Sequence, residues 1–303
     1  MKPLHRIAMR YLLLLWSLIL IGPSPAISEP MPVVASFSIL ADLVEQIGGS
    51  RLKVTSLIPR ATDPHVFQAS PQDAQRLQSA RLIFVNGLGL EGSIDRLIAS
   101  TGQNSKRVVV SATIKPFRLI ENGRDQGLDP HAWHDVANTK LYVEAICAAL
   151  IKADPDGRSV YESRTQTYQK ALDELDIAIK QGLAAIPPGQ RMIVTNHDAF
   201  GYFARAYQID MIAARGVSTE TEPSARDIAR VIRQIRSQKI PAVFLENVAD
   251  PRLMQQIAQE TGAKIGDKLF TDSLSVENGA APTYIDMMRA NLARISKALL
   301  PSP

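Results

Sequence analysis

Four histidines lie beyond residue 28 of this 303-residue sequence, and each sits in a short polar motif. The motifs are Asp63-Pro64-His65, Asp129-Pro130-His131-Ala132-Trp133-His134-Asp135 and Asn196-His197-Asp198; near the C-terminus, Thr271-Asp272-Ser273 ends an apolar run. Neutral imidazole is the commonest nitrogen ligand of borderline metals, and a carboxylate can complete such a site. His65, His131 and His197 with Asp272 would make a closed, four-coordinate site for one divalent transition metal. Asp63 and Asp129 each stand two residues before their histidine, and Asp198 follows His197 directly. Each can accept the second imidazole N–H and fix the tautomer, and the Asp-Pro pairs serve equally as turn formers. His134 can share a helical face with His131. With Asp272 in the fourth place, His134 is expected behind the ligands or in solvent.

These side chains need elements that aim them at one point. Residues 32–39, 54–59, 82–86 and 108–111 read as strands, separated by helical patterns at 40–47, 71–79 and 91–100. The second half repeats the style, with strands at 191–195, at 242–246 and within 264–271. Its helices are 225–238 behind an N-cap at Ser224, 251–261 stopped by Gly262, and 282–299. Strands alternating with helices imply parallel sheets. Between the halves, residues 158–185 lack proline, and Leu172, Leu175, Ile179 and Leu183 recur at helical steps. A helix of about 25 residues would span roughly 38 Å. The expected architecture is α/β: two lobes, each a mainly parallel sheet flanked by helices, joined by one long rigid helix. The boundaries are 29–157, 158–186 and 187–303, behind a leader at 1–28. Ligands of open α/β sheets bind beyond the carboxyl ends of the strands. His65, His197 and Asp272 each follow a strand, while His131 lies in a polar loop before a helix beginning near residue 138. Two lobes facing one cleft would bring two ligands each.

Lys2, Arg6 and Arg10 precede an apolar run at 11–21 and small residues at 24–28, the pattern of a cleavable export signal. The run is about half of what spans a bilayer, and no cysteine lies near the cleavage point. A free periplasmic protein without a lipid anchor is therefore expected. Taking the three leader cations from 34 basic residues leaves 31 against 30 acidic ones, a net charge of +1. With no basic stripe, nucleic acid is excluded as a partner. Cys147, the one cysteine, falls on the apolar stripe of a helix and reads as a small buried hydrophobe.

The motifs at 63–65, 129–133, His197-Asp198-Ala199-Phe200-Gly201-Tyr202-Phe203, Glu222-Pro223-Ser224 and Thr271-Asp272-Ser273-Leu274 run through nearly all of the mature chain. In that order they resemble the substrate-binding proteins of zinc and manganese ABC transporters, the cluster that includes streptococcal metal-binding lipoproteins. The resemblance implies metal held between two lobes by His65, His131, His197 and Asp272. It also implies a membrane permease as partner. Histidine at position 197 resembles zinc-type members, where many manganese-type members carry glutamate, and three imidazoles suit zinc better than manganese. One Zn²⁺ per chain is expected, with Mn²⁺ the alternative. Two features depart from the family: residues 115–128 hold no histidine, and position 134 is usually apolar.

A zinc hydrolase is the competing class, with Glu220, Glu222 or Glu246 as nominal bases. No His-Glu-x-x-His occurs, and a fourth protein ligand would close the coordination that catalysis needs open. A transport component and not an enzyme is expected. It should be a monomer, and a second exported protein, a periplasmic metallochaperone, could load it through residues 115–128.

Overall fold

The computed structural model describes residues 29–121 and 124–300, so the leader assigned to residues 1–28 lies outside the described part. Two parallel four-stranded sheets carry the architecture, as the alternating pattern implies. The first comprises β1 (Met31–Ala35), β2 (Leu52–Ser56), β3 (Leu82–Val85) and β4 (Arg107–Val109), in the order β2-β1-β3-β4. Helices α1 (Ser38–Gly48), α2 (Pro71–Ser79) and α3 (Gly92–Ser100) connect them. Residues 38 and 39 open α1 and do not extend β1. The run is buried on every face there, and an unbroken apolar stretch does not distinguish strand from helix. At α2 a capping box closes the N-terminus: the Ser70 hydroxyl accepts from the Asp73 N–H, and the Asp73 carboxylate accepts from the Ser70 N–H.

Residues 115–128, expected as a plain loop, carry an antiparallel hairpin, β5 (Arg118–Glu121) and β6 (Arg124–Leu128). Asn122-Gly123 between them in the sequence is the dipeptide that two-residue hairpin turns favour, so the signal was available. Helix α4 (Val136–Ala153) then leads to α5 (Arg158–Ala184).

The second sheet comprises β7 (Met192–Thr195), β8 (Asp210–Ala213), β9 (Ala242–Glu246) and β10 (Lys264–Leu269), ordered β10-β9-β7-β8 and again parallel. The sequence does not announce β8. It is a four-residue edge strand that begins on the exposed Asp210, and Met211-Ile212-Ala213 is too short to show a period. Helices α6 (Gly201–Tyr207), α7 (Ala225–Gln238), α8 (Arg252–Thr261) and α9 (Tyr284–Leu299) complete the chain. The capping box of Ser224 and Asp227 starts α7, and Gly262 at φ 75° ends α8, where a side chain would be strained.

Helix α5 buries Tyr161, Thr165, Tyr168, Leu172, Leu175, Ile179 and Leu183, a stripe at three- and four-residue steps. That stripe packs against α1 and α4 of the first half and against α9 of the second. A continuous core accordingly runs from Val33 through Leu172 to Leu299. A smaller core lies between the second sheet and helices α7 and α8. The long helix is a shared wall of both halves.

Leu175 is fully buried, whereas Ile177 on the same helix is 54% exposed. Leu175→Ala is expected to cost about 2–5 kcal/mol and Ile177→Ala less than about 0.5 kcal/mol in urea unfolding of the metal-free protein. Equal losses would show that the stripe is not what holds α5.

Candidate metal centre

One ligand atom each from His65, His131, His197 and Asp272 lies within 4.8 Å of every other. Nε2 of His65 and Nε2 of His131 are 3.1 Å apart. Asp272 Oδ1 is 3.3 Å from Nε2 of His131, and Oδ2 is 3.1 Å from Nε2 of His197. Ligands about 2.0–2.1 Å from a tetrahedral zinc stand roughly 3.3 Å from one another, so the cage has the spacing such an ion needs. His131, His197 and Asp272 are fully buried; His65 is half-buried and forms the open side. Neither oxygen of Asp272 accepts a well-formed hydrogen bond. A buried carboxylate so poorly bonded is costly, and one divalent cation among these four side chains would compensate it.

Strand ends deliver the side chains. His65 follows β2, His197 follows β7 by two residues, and Asp272 follows β10 by three. His131 precedes a short turn, Ala132–His134, at the start of α4. Asp129 holds His131 twice, accepting from the backbone N–H at 2.9 Å and from Nδ1 at 2.8 Å. Asp63 differs: it accepts the backbone N–H of His65 at 2.9 Å and the Thr219 hydroxyl at 2.6 Å.

The carboxylate on Nδ1 of His197 is Glu246 at 2.5 Å, which also accepts the His197 backbone N–H at 3.0 Å. Sequence suggests the adjacent Asp198 for this place. Glu246 ends β9, the strand beside β7, and only the sheet order brings it there. Other supports are equally remote. Asn86, at the end of β3, donates to the Pro130 carbonyl at 2.9 Å and accepts from the Tyr142 hydroxyl at 2.6 Å. The Trp133 indole donates to the Thr271 carbonyl at 3.0 Å, and the Ser38 hydroxyl accepts from the Leu274 N–H at 3.0 Å. A Cβ at Gly201 would stand 2.7 Å from Asp129 Oδ2, so glycine is needed there for close approach.

His134 is not in solvent. It is fully buried against Phe200, ring centroids 4.5 Å apart, and outside the group of four. Its nitrogens make no well-formed hydrogen bond, with only a weak interaction at the Thr271 backbone. An imidazole stem is apolar enough to fill the place that the chain's folding demands, and burial drives its pKa down to about 3, keeping it neutral.

The four candidate ligands divide electrostatically. Burial lowers His65 to about 3, leaving it neutral. Burial would lower His197 too, but the facing carboxylates of Glu246 and Asp272 outweigh it and raise that imidazole well above the usual histidine range. Burial would raise Asp272, yet His197 and His131 hold it well below the usual carboxylate range. In the metal-free protein, His197 is therefore the protonated partner of two carboxylates.

Residues 33–298 match the family described as zinc-uptake complex component A, periplasmic (ZnuA). The manganese-binding lipoprotein MntA of Halalkalibacterium halodurans is 37% identical over 264 residues, 87% of either chain. The metal ABC transporter substrate-binding lipoprotein FimA of Streptococcus parasanguinis is 33% identical over 284 residues, 92% of either chain. Among solved structures, the periplasmic zinc-binding protein TroA of Treponema pallidum superposes with a TM-score of 0.85 at 31% identity, over 90% of this chain and 100% of its own. The expectation of a free periplasmic protein without a lipid anchor is overturned here, because MntA and FimA are both named lipoproteins. That expectation rested on the absence of a cysteine near residue 28.

Metal binding at Nε2 of His197 must expel its proton, whereas neutral His65 and ionised Asp272 exchange none. Calorimetry near pH 7 in buffers of different ionisation enthalpy should show about one proton released per metal ion. Affinity should fall by up to about tenfold per pH unit on acidification below the raised pKa of His197. Glu246→Gln should reduce the proton release and weaken binding about 10–100-fold; no release by the unmodified protein would mean that His197 is neutral beforehand. His134→Leu should leave affinity unchanged and hold or raise stability, by about 1 kcal/mol in denaturant unfolding, since it removes unsatisfied buried nitrogens. A large loss of affinity would instead make His134 a ligand.

Proposed function

The chain belongs to the ZnuA family of metal-binding components of ABC importers, and from that premise we propose that it captures Zn²⁺ and delivers it to its permease. It is a transport component and not an enzyme. The observation that carries the zinc reading is the donor set: three imidazoles and one carboxylate, fully desolvated on three of four corners. Nitrogen-rich tetrahedral sites suit zinc, while manganese favours more oxygen. In this reading His65, His131, His197 and Asp272 are the ligands, and Asp129 and Glu246 fix two of the rings. One lobe is 29–157, the other 187–303, with 158–186 between them. The chain works as a monomer, one ion per chain, and receives its metal directly or from an exported metallochaperone.

Manganese is the second reading, favoured by the name of the relative MntA at 37% identity. The same four side chains would hold it. Asp272, with neither oxygen in a well-formed hydrogen bond, could supply a second oxygen to the larger coordination number.

Protein purified without a metal-binding tag should carry one equivalent of zinc by mass spectrometry, and the stripped protein should keep zinc against excess manganese. Retention of manganese would keep the transporter and exchange its cargo; failure to bind either ion would sink the proposal. His131→Ala and His197→Ala should each weaken binding by more than the roughly 10–100-fold that loss of an orienting carboxylate costs.

A further inference from the structure

The loop before Glu222-Pro223-Ser224 has no part in the coordination, yet it reaches the metal centre from two sides. It is fastened to the strand end that bears His197. The Ala214 N–H donates to the Thr195 carbonyl at 3.1 Å, Arg215 N–H to Asn196 at 2.9 Å, and Asp198 N–H to Gly216 at 3.1 Å. Arg215 braces the loop from within, donating to the Thr219 carbonyl at 3.4 Å and to the Glu222 carboxylate. From this base the Thr219 hydroxyl crosses to Asp63 Oδ2 at 2.6 Å, and Asp63 Oδ1 accepts the backbone N–H of His65 at 2.9 Å. A short chain of bonds therefore joins the segment of His197 to that of His65, whose side chain alone among the four is not fully buried.

We propose that Thr219 is a positioning residue which, through Asp63, holds His65 over the bound ion and sets how slowly the ion leaves. This rests on the metal-capture reading above. Departure through the open side requires His65 to swing away, and its loop cannot do so while Asp63 is bonded to Thr219. Asp129 holds the ring of His131, whereas Asp63 has its carboxylate on backbone and hydroxyl, so it governs the loop's position and not the ring's tautomer. The bond must break before the ion is free, so its removal accelerates release.

The test is release of Zn²⁺, and separately Mn²⁺, into excess chelator by stopped flow, with capture rates measured alongside. Thr219→Val, which keeps the shape and removes the hydroxyl, should speed release about tenfold. Thr219→Ser should restore slow release, and Thr219→Val should add nothing to Asp63→Asn. Unchanged release in Thr219→Val would overturn the proposal. So would fast release in Thr219→Ser, which would place the effect in packing. Normal binding by the unmodified chain with no effect of Thr219 leaves the metal-capture reading standing; no binding by the unmodified chain removes both.

Discussion

A carboxylate sealed from water among three imidazoles, with no well-formed hydrogen bond of its own, is the constraint on which the rest of this structure depends. Asp272 is fully buried and stays ionised because His197 and His131 face it. Desolvating a charge costs several kcal/mol unless it is compensated nearby. The compensation changes hands: a proton on His197 serves in the metal-free protein, and a divalent ion serves better once it displaces that proton. The site is thereby kept preorganised without cargo, and its selectivity for ions over water follows from its dryness.

Holding such a cluster demands a framework stiffer than any one loop. The strands end at the cluster, and other groups restrain its members: neighbouring Asp129 holds His131, remote Glu246 holds His197, and Trp133 and Ser38 hold the segment around Asp272. The segment 271–275 belongs to the second half in sequence, but it bonds to Ser38, Ala61 and Trp133 of the first as well as to Asn247. With α5 packed against helices of both halves, the core resists large relative movement. Exchange of the ion is left to local movement at the half-buried corner, His65.

Much of this was legible from residue order. Polar His and Asp motifs placed just after apolar runs pointed to one metal cluster, because strand ends in parallel sheets converge on one side. The apolar stripe of residues 158–185 declared a long helix, since its period is a local property of the chain. Caps at Ser224 and Gly262 were equally local. Where neighbours in space decided, sequence was silent or misled. The buried start of α1 looked like strand because it is covered on all faces. Edge strand β8 was too short to show a period, and the hairpin at 118–128 was passed over despite Asn122-Gly123.

What the sequence by itself determined is the inventory: which side chains can bind a borderline metal, their order along an α/β chain, and the helix between the halves. Only the tertiary structure decided which groups serve those ligands. Glu246 reaches His197 across 49 residues because β9 lies beside β7, and Asp63 meets Thr219 across 156 residues. His134 shares a short turn with His131, yet packing turned it into an aromatic layer and out of the cluster. The physical reason is one of range. Backbone periodicity, caps and turns are set by residues a few positions apart, while hydrogen bonding and desolvation at a buried centre depend on whatever folding brings within 3 Å, however distant in the chain.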